Sequence, residues 1–411
     1  MLTSSQGNTG TGSHRSAFAS PEFRRYFPAA IFSTLGSWIL RFLLGWSAWD
    51  LTESATWVGI VAGLLLAPAL VLSPVFGIVS DRINPRNGLL ITLGLHAALA
   101  GIAGLAVVSG LLALPVLLAL SVALGIASSA QTPVRLALIP SLVPRISLPS
   151  AIGYSAITFN TSRILGPALG AALIQWSSPA AAYFCAAGLM AFSLLFLLGV
   201  TGRKRNDAKA AKSGFFDQLR DGFRYTRAHP SIRLIFSFTL INALLGRTVM
   251  ELLPALSGVL LHGDSATLAT LTAAAGAGSI LGGAVVSRQG SEESRLVSLM
   301  IACLAAAAFL VAALGWSTQL ISFACLIGLL STATTIIGTS SQALAQLQVD
   351  DEYRGRVLSL WTMLAMGAPA LGAMSMGVLA DQFAFPLVLP AFALMALIAL
   401  VYLNRHRVRA P

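Results

Sequence analysis

Two arginines, Arg41 and Arg247, stand inside otherwise apolar stretches of this chain, 206 residues apart. A guanidinium in a lipid-facing segment is costly, so each must face protein or water. Its planar fork of donors matches a carboxylate or phosphate, and two such groups facing each other suit an anion. The other reading is a structural or gating ion pair. Glu251 lies one helical turn after Arg247 and could neutralise it within the same helix. Asp50, further along the first apolar stretch, could do the same for Arg41. Arg163 is a third cation in an apolar stretch, either facing a cavity or paired near one membrane face. Proton exchange needs a titratable group that both faces of a membrane reach in turn. Glu251 is the best placed candidate and Asp50, Asp81 and His96 are the others, although His96 reads more simply as a hydrogen-bonded packing residue. Trp38 lies deep enough to stack on a ligand, whereas Trp46, Trp49 and Trp57 read as interfacial anchors. Asn242, with Asn160, Gln131, Gln342 and Gln346, is either cavity wall or a helix–helix hydrogen-bonding group. There is no Walker loop, metal-ligand cluster or nucleophile triad. The chain therefore reads as a binder and mover of molecules that needs no cofactor, rather than an enzyme or a nucleotide-driven pump.

The elements that must position these residues are long helices. The 411 residues are 56% hydrophobic and 10% charged, against about 25% charged in a typical soluble protein. Twelve apolar runs lie at roughly 27–49, 57–80, 88–109, 113–133, 150–175, 178–200, 232–256, 266–287, 296–315, 318–344, 357–380 and 384–403. Runs of about 20 apolar residues cross the hydrocarbon, and they must be helices because backbone groups in lipid are satisfied only within the segment. They are too long and too uniformly apolar for barrel strands. The formal charge of +11 follows the topology: of 26 Lys and Arg, only Arg41, Arg163 and Arg247 lie well inside runs. The rest fall in the two tails, the even-numbered connections or the helix ends beside them, which is the positive-inside bias with both termini cytoplasmic. That distribution excludes nucleic acid as the reason for the charge. Cys185, Cys303 and Cys325 all lie within runs, so no disulfide framework is expected. The first 20 residues are rich in Ser, Gly and Thr and lack the apolar core of a signal peptide.

The connection at 77–86 carries a spaced set of charges: Gly77, then Asp81-Arg82, then Arg86. A degenerate copy, from Gly283 to Ser287-Arg288, follows 206 residues later, the same offset as Arg41 to Arg247. Pro167-Ala168-Leu169-Gly170-Ala171 recurs as Pro369-Ala370-Leu371-Gly372-Ala373. These echoes divide the chain into two related halves, as in transporters built from repeats. Gly77 permits close helix approach, and Asp81 could face a helix N-terminus or an arginine and latch two helix ends in one conformation. The stretch 350–357 offers the partners: Glu352, Arg354 and Arg356, with Asp350 and Asp351, facing Asp81, Arg82 or Arg86. Gly166, Pro167 and Gly170 weaken the fifth run and favour a bend. The long central connection, 201–231, should hold an amphipathic helix on the cytoplasmic leaflet, with Phe216, Leu219 and Phe223 on one face and Arg220, Arg224 and Arg227 mostly elsewhere.

The loop at 77–86 resembles that between helices 2 and 3 of the major facilitator superfamily, and the resemblance covers about residues 22–404. Gly166-Pro167-Ala168-Leu169-Gly170 is similar to the span-5 signature of its antiporter branches, with Ala171 in place of the last glycine. The stretch from Asp351 to Leu360 (DEYRGRVLSL), and Glu251-Leu252-Leu253-Pro254-Ala255, resemble the bacterial drug and siderophore (enterobactin-type) exporter branch. Ser37 stands where many exporter relatives have an acid, in Leu35-Gly36-Ser37-Trp38. The resemblance implies an all-α membrane protein of twelve transmembrane helices in two pseudo-symmetric six-helix bundles. The division would be a disordered cytoplasmic tail (1–22), the first bundle (23–200), a cytoplasmic linker with an amphipathic helix (201–231), the second bundle (232–404) and a second cytoplasmic tail (405–411). It further implies alternating access around a midplane site lined by Arg41 and Arg247, in a monomer of the bacterial inner membrane. Its partners would be a small-molecule substrate and the lipid bilayer, and a proton gradient would be the drive. A siderophore or other anionic metabolite is the preferred substrate class. The alternatives are a multidrug exporter, a metabolite importer or lysophospholipid flippase, and a non-transporting membrane sensor.

Overall fold

The protein was analysed as a computed structural model that describes residues 16–201, 215–288, 293–350 and 353–408. Fifteen α-helices make up the described chain. The first half comprises α1 (Pro21–Thr52), α2 (Ala55–Arg82), α3 (Pro85–Val108), α4 (Leu114–Leu142), α5 (Leu148–Trp176) and α6 (Pro179–Leu198). A linking helix follows, α7 (Phe215–Ala228). The second half opens with α8 (Pro230–Asn242), a π-helical turn (Ala243–Arg247), α9 (Thr248–Glu251) and α10 (Leu253–Leu261), which together make one interrupted span. It continues through α11 (Ser265–Arg288), α12 (Glu293–Leu314), α13 (Leu320–Gln348), α14 (Arg354–Phe383) and α15 (Phe385–Val408).

Among the described residues, eleven helical stretches are long and apolar enough to cross a membrane. The twelfth expected span, α5, is 29 residues long. Its hydropathy is lowered by Arg163, which lines a cavity between the halves, and by Asn160 and several Ser and Thr residues. Most spans outrun their apolar cores. α1 has 32 residues, about 48 Å at 1.5 Å per residue, against a hydrocarbon thickness of about 30 Å. Helix starts are set by local chemistry: proline at the first turn of α3, α5 and α6, and the Asn84 and Ser178 side chains accepting backbone N–H bonds from Arg86 and Ala181. The chain is also structured earlier than expected. Residues 17–19 form a 3₁₀ turn, Ala17 and Phe23 are buried, and Phe18 meets Phe23, Phe27 and Tyr154 edge-on. A tail disordered through residue 22 is therefore wrong over 16–22, and residues 1–15 lie outside the described chain. At the other end α15 continues through 405–408.

Because the spans alternate in direction, the start of α1, the end of α15 and α7 fall on one side, here called the basic side. The core is distributed unequally between the two sides. Toward the far side one apolar cluster runs across both halves, joining Leu43 and Tyr183 to Val249, Leu256, Phe323 and Met376. Toward the basic side there are two separate clusters: Phe23, Leu93 and Leu138 in the first half, and Ile232, Ile337 and Val357 in the second. The halves are thus fused at the far side and parted at the basic side. Lipid-facing positions are apolar and exposed, such as Ile91, Leu105, Phe309 and Leu387.

Small residues set the far-side closure. α2 and α14 touch at Gly59, where a Cβ would sit 2.3 Å from the Ala373 carbonyl oxygen. α1 and α10 touch at Gly258, whose missing side chain is replaced by the Trp49 indole. Trp49 is therefore a bundle-to-bundle contact rather than a lipid anchor. Forcing atoms into such contacts costs about 1–3 kcal/mol. Gly59→Ala is expected to lower the apparent melting temperature of the purified protein. Gly94→Ala, at a position with nothing within 4 Å, is expected to leave it unchanged. Equal melting of the two variants would show that this closure adds nothing to stability.

Candidate functional site

Between the halves lies a cavity of about 1270 Å³ that runs from the membrane interior to the basic side, where Arg135 of α4 and Arg356 of α14 stand at its mouth. Each deep polar wall residue has a local reason for its place. α1 presents Ser37, Trp38 and Arg41 along one face, at i, i+1 and i+4. α5 lies close against α1 because Gly166 and Gly170 leave room: a Cβ on Gly166 would be 2.6 Å from Trp38 Cβ, and one on Gly170 would be 2.9 Å from Phe42. These glycines, which the sequence suggested for bending, serve as contact points, and α5 runs unbroken through Pro167. That approach brings Arg163 over the Trp38 ring, 5.9 Å from its centroid, a cation–π distance. Trp38 in turn meets Phe159 edge-on at 5.4 Å.

The second half supplies Arg247 and Glu251 from the interrupted span. The π turn ends at Arg247, and the helix breaks after Glu251 at Leu252, two residues before Pro254, which has no N–H to donate. Arg247 is exposed, and its surface faces the cavity. Glu251 does not pair with Arg247 as the i, i+4 spacing suggested. It accepts a 2.5 Å bond from Arg41 across the gap between the halves. The physical reason is competition: a neighbouring pair on one helix is worth a few tenths of a kcal/mol, whereas Arg41 has no other carboxylate in the cavity among the described residues. Arg41, Arg163, Arg247 and Glu251 are near enough to feel one another's charge. Three guanidiniums against one carboxylate leave the deep cavity with two uncompensated positive charges. Among the described residues, Glu251 is the only carboxylate that lines it.

Other expected residues fall elsewhere. Asp50 is exposed near the far end of α1, outside the cavity, and does not serve Arg41. Asn242 is buried in the packing of α8 on α13, donating to the Thr334 carbonyl at 3.3 Å, and is not cavity wall. His96 does border the cavity, but it is buried with its ring nitrogens bonded to the Thr92 carbonyl and the Ser128 hydroxyl, as a packing residue should be. Gly77, Asp81 and Arg82 occupy the last turns of α2. The side chains of Asp81, Arg82 and Arg354, and the whole of Glu352, lie outside the described residues, and with them that part of the latch. The three latch residues whose side chains are described have other partners, Asp350 among them, which accepts a bond from the Tyr225 hydroxyl of α7. Arg86 donates to the carbonyls of Leu197 and Leu198, closing the end of α6 within its own half. Arg356 pairs with Asp221 of α7 at 3.5 Å.

Sequence reasoning missed the fastening on the far side. The Asp381 carboxylate of α14 accepts three bonds from the start of α2: Ser54 Oγ at 2.5 Å, Ala55 N at 2.9 Å and Thr56 N at 3.0 Å. The signal was present, since an acid at the C-terminal end of a span is disfavoured by that helix's own dipole and needs another helix's N-terminus. A second tie joins α5 to the start of α11, with Gln175 donating to Asp264 at 3.1 Å. The Thr267 N–H and the Gln175 amide hold the Asp264 carboxyl below the usual carboxylate range. Arg135 was also missed, because α4 continues nine residues past the predicted end of its apolar run.

Known proteins with this sequence pattern move small molecules. The chain is 26% identical to the staphyloferrin A transporter of Staphylococcus aureus, over 87% of this chain and 89% of that protein. It is 27% identical to the enterobactin exporter EntS of Citrobacter koseri, over 87% and 85%. It is 22% identical to macrolide efflux protein A of Streptococcus pyogenes, over 85% and 87%. Among solved structures the fold matches the nucleoside transporter NupG with a TM-score of 0.73 at 13% identity, covering 94% of this chain and 98% of that one. It matches a bacterial homologue of the lysosomal transporter Spinster at 0.70 and 16%, covering 93% and 95%. Residues 12–411 fit the transmembrane secretion effector family throughout, and the chain therefore belongs to that family, a branch of the major facilitator superfamily of membrane transporters.

Proposed function

We propose that this protein is a secondary active exporter of a small, amphipathic, anionic molecule, a siderophore or similar acidic metabolite, coupled to the proton gradient. It works as a monomer in the bacterial inner membrane. The observation that carries this reading is the deep cavity with Arg41, Arg163 and Arg247 set against the single carboxylate of Glu251. The positive-inside bias makes the basic side cytoplasmic, so the cavity opens toward the compartment from which an exporter loads. An entering anion finds Arg247 and Arg163 without acid partners, while the Trp38 face and the Met363 and Met366 side chains offer apolar contact. Glu251 is the proton-exchange group. Ionised, it ties α1 to α9 across the halves; protonated, it releases Arg41 and frees one half from the other. Export then proceeds by rocking of the halves about this site.

The test is transport by purified protein in liposomes, using catecholate and carboxylate siderophores, a lysophospholipid and cationic dyes, with and without an imposed proton gradient. Gradient-dependent movement of an acidic compound is expected. Movement of dyes alone would replace this reading with a multidrug exporter whose arginines are structural. With the acidic compound in hand, Arg41→Ala and Arg247→Ala are each expected to weaken its binding. Loss of one charged hydrogen bond is worth about 1.5–3 kcal/mol, roughly ten- to a hundredfold in affinity. Full activity in both variants, at wild-type protein levels, would reject an anion site.

A further inference from the structure

Helix α7 has two faces of different character. One is docked on the second half. Gly222, Tyr225 and Thr226 are buried, and a Cβ on Gly222 would lie 3.2 Å from the Arg356 carbonyl group, so α7 and the first turn of α14 touch backbone to backbone. The Tyr225 hydroxyl donates to Asp350 at 3.0 Å, its ring stacks on Tyr353 at 4.7 Å, and Asp221 pairs with Arg356. On the other face stands Phe223, one member of the expected Phe216–Leu219–Phe223 stripe; the side chains of Phe216 and Leu219 lie outside the described residues. Phe223, 63% exposed, stands among exposed Arg220, Arg224 and Arg227. Positions 220, 223, 224 and 227 are i, i+3, i+4 and i+7, which make one continuous stripe on a helix. None of the three arginines has an acidic partner among the described residues.

We propose that this stripe is a docking surface for anionic phospholipid headgroups of the basic-side leaflet. Three features select that occupant. Charge is complementary, since three guanidinium forks with no acidic partner among the described residues match phosphodiesters. The exposed phenylalanine among them suits the boundary between headgroups and acyl chains. Position is fixed by covalent continuity, because α8 begins at Pro230, two residues after α7 ends, and starts a membrane span. The stripe is therefore held at the level where headgroups lie. Lipid on the outward face and Arg356 on the docked face would then clasp α7 between the bilayer and the mouth of the cavity.

The test uses the full chain and needs no transport substrate. Native mass spectrometry of the purified protein, equilibrated with equal amounts of phosphatidylglycerol and phosphatidylcholine, should show preferential retention of phosphatidylglycerol. Replacing the three arginines together (R220Q, R224Q, R227Q) should remove most of that preference, at roughly fivefold per arginine. Asp221→Asn, on the docked face, should leave it in place. Equal retention of the two lipids by wild type, or an unchanged preference in the triple variant, would overturn the proposal. Should the triple variant fail to fold, a fluorophore on F223C in otherwise intact protein decides the matter. Brominated phosphatidylglycerol should quench it more than brominated phosphatidylcholine, and equal quenching or none would overturn the proposal.

Discussion

Glu251→Gln is expected to abolish the response of transport to a pH gradient while leaving exchange of the acidic substrate across the membrane intact. Glutamine keeps the size of the side chain and an acceptor for Arg41, but it cannot change charge. Glu251 is the only carboxylate lining the cavity among the described residues, so proton exchange within the cavity has no second carboxylate to use. Rocking of the halves does not require the proton, and exchange down the substrate's own gradient therefore continues. The same variant tests the sign of the site. Removing the one negative charge raises the uncompensated deep charge from two to three. At about 6 Å and an effective dielectric near 20, a unit charge contributes roughly 3 kcal/mol. Water and salt in an open cavity reduce this to about 1 kcal/mol, or roughly fivefold in affinity. An acidic substrate should thus bind more tightly to the variant, and a cationic one more weakly. A Gln variant that still follows the pH gradient would place the proton site elsewhere. Tighter binding of cations would contradict the charge reading of the cavity.

The sequence made the scaffold plain and the pairings obscure, for a physical reason. Spans are local: a run of apolar residues is a helix in lipid whatever surrounds it, so twelve spans and the repeat between halves were readable from composition and offsets. Arg41, Arg163 and Arg247 were readable too, because an unpaired cation in such a run needs a wet cavity. Partners are not local. Glu251 chose Arg41, 210 residues away, over Arg247 four residues away, because Arg41 has no other carboxylate in the cavity among the described residues. Arg86 satisfied carbonyls at the end of α6 instead of reaching the second half. Its spacing in the loop is equally compatible with either role, and only the position of α6 decides. The docked face of α7 was hidden by the same limit. A helical wheel ranks side chains by polarity, and only the backbone contact of Gly222 with α14 decides that Tyr225 turns toward the protein while Phe223 stays outward.

Asp381→Ala is expected to shift the protein toward states open at the far side. In the present arrangement the halves are joined there by one apolar cluster, by the Gln175–Asp264 bond and by the three bonds that Asp381 accepts from Ser54, Ala55 and Thr56. Two of these donors are backbone N–H groups of the first turn of α2, which no residue of that helix can satisfy. Ser54 gives its own helix no side-chain cap, so the carboxylate of α14 serves as the cap of α2, reaching over from the other half. A capping carboxylate interacts with both the orphan donors and the helix dipole. Asp381 is exposed, and water competes for these bonds, so the fastening is worth about 1–2 kcal/mol rather than the sum of three charged bonds. That is a roughly five- to thirtyfold change in the ratio of far-side-closed to far-side-open molecules. Spin labels at Leu111, between α3 and α4, and at Trp316, between α12 and α13, report the gap on that side; both positions are 67% exposed. With the three native cysteines replaced by serine, Asp381→Ala should add or enlarge a longer-distance population. Ser54→Ala, which removes one donor of the three, should do so to a smaller degree. An unchanged distance distribution in Asp381→Ala would show that packing around Gly59 and Gly258 closes the far side without help from the carboxylate. In that case the switch between states would have to be sought in the substrate cavity itself.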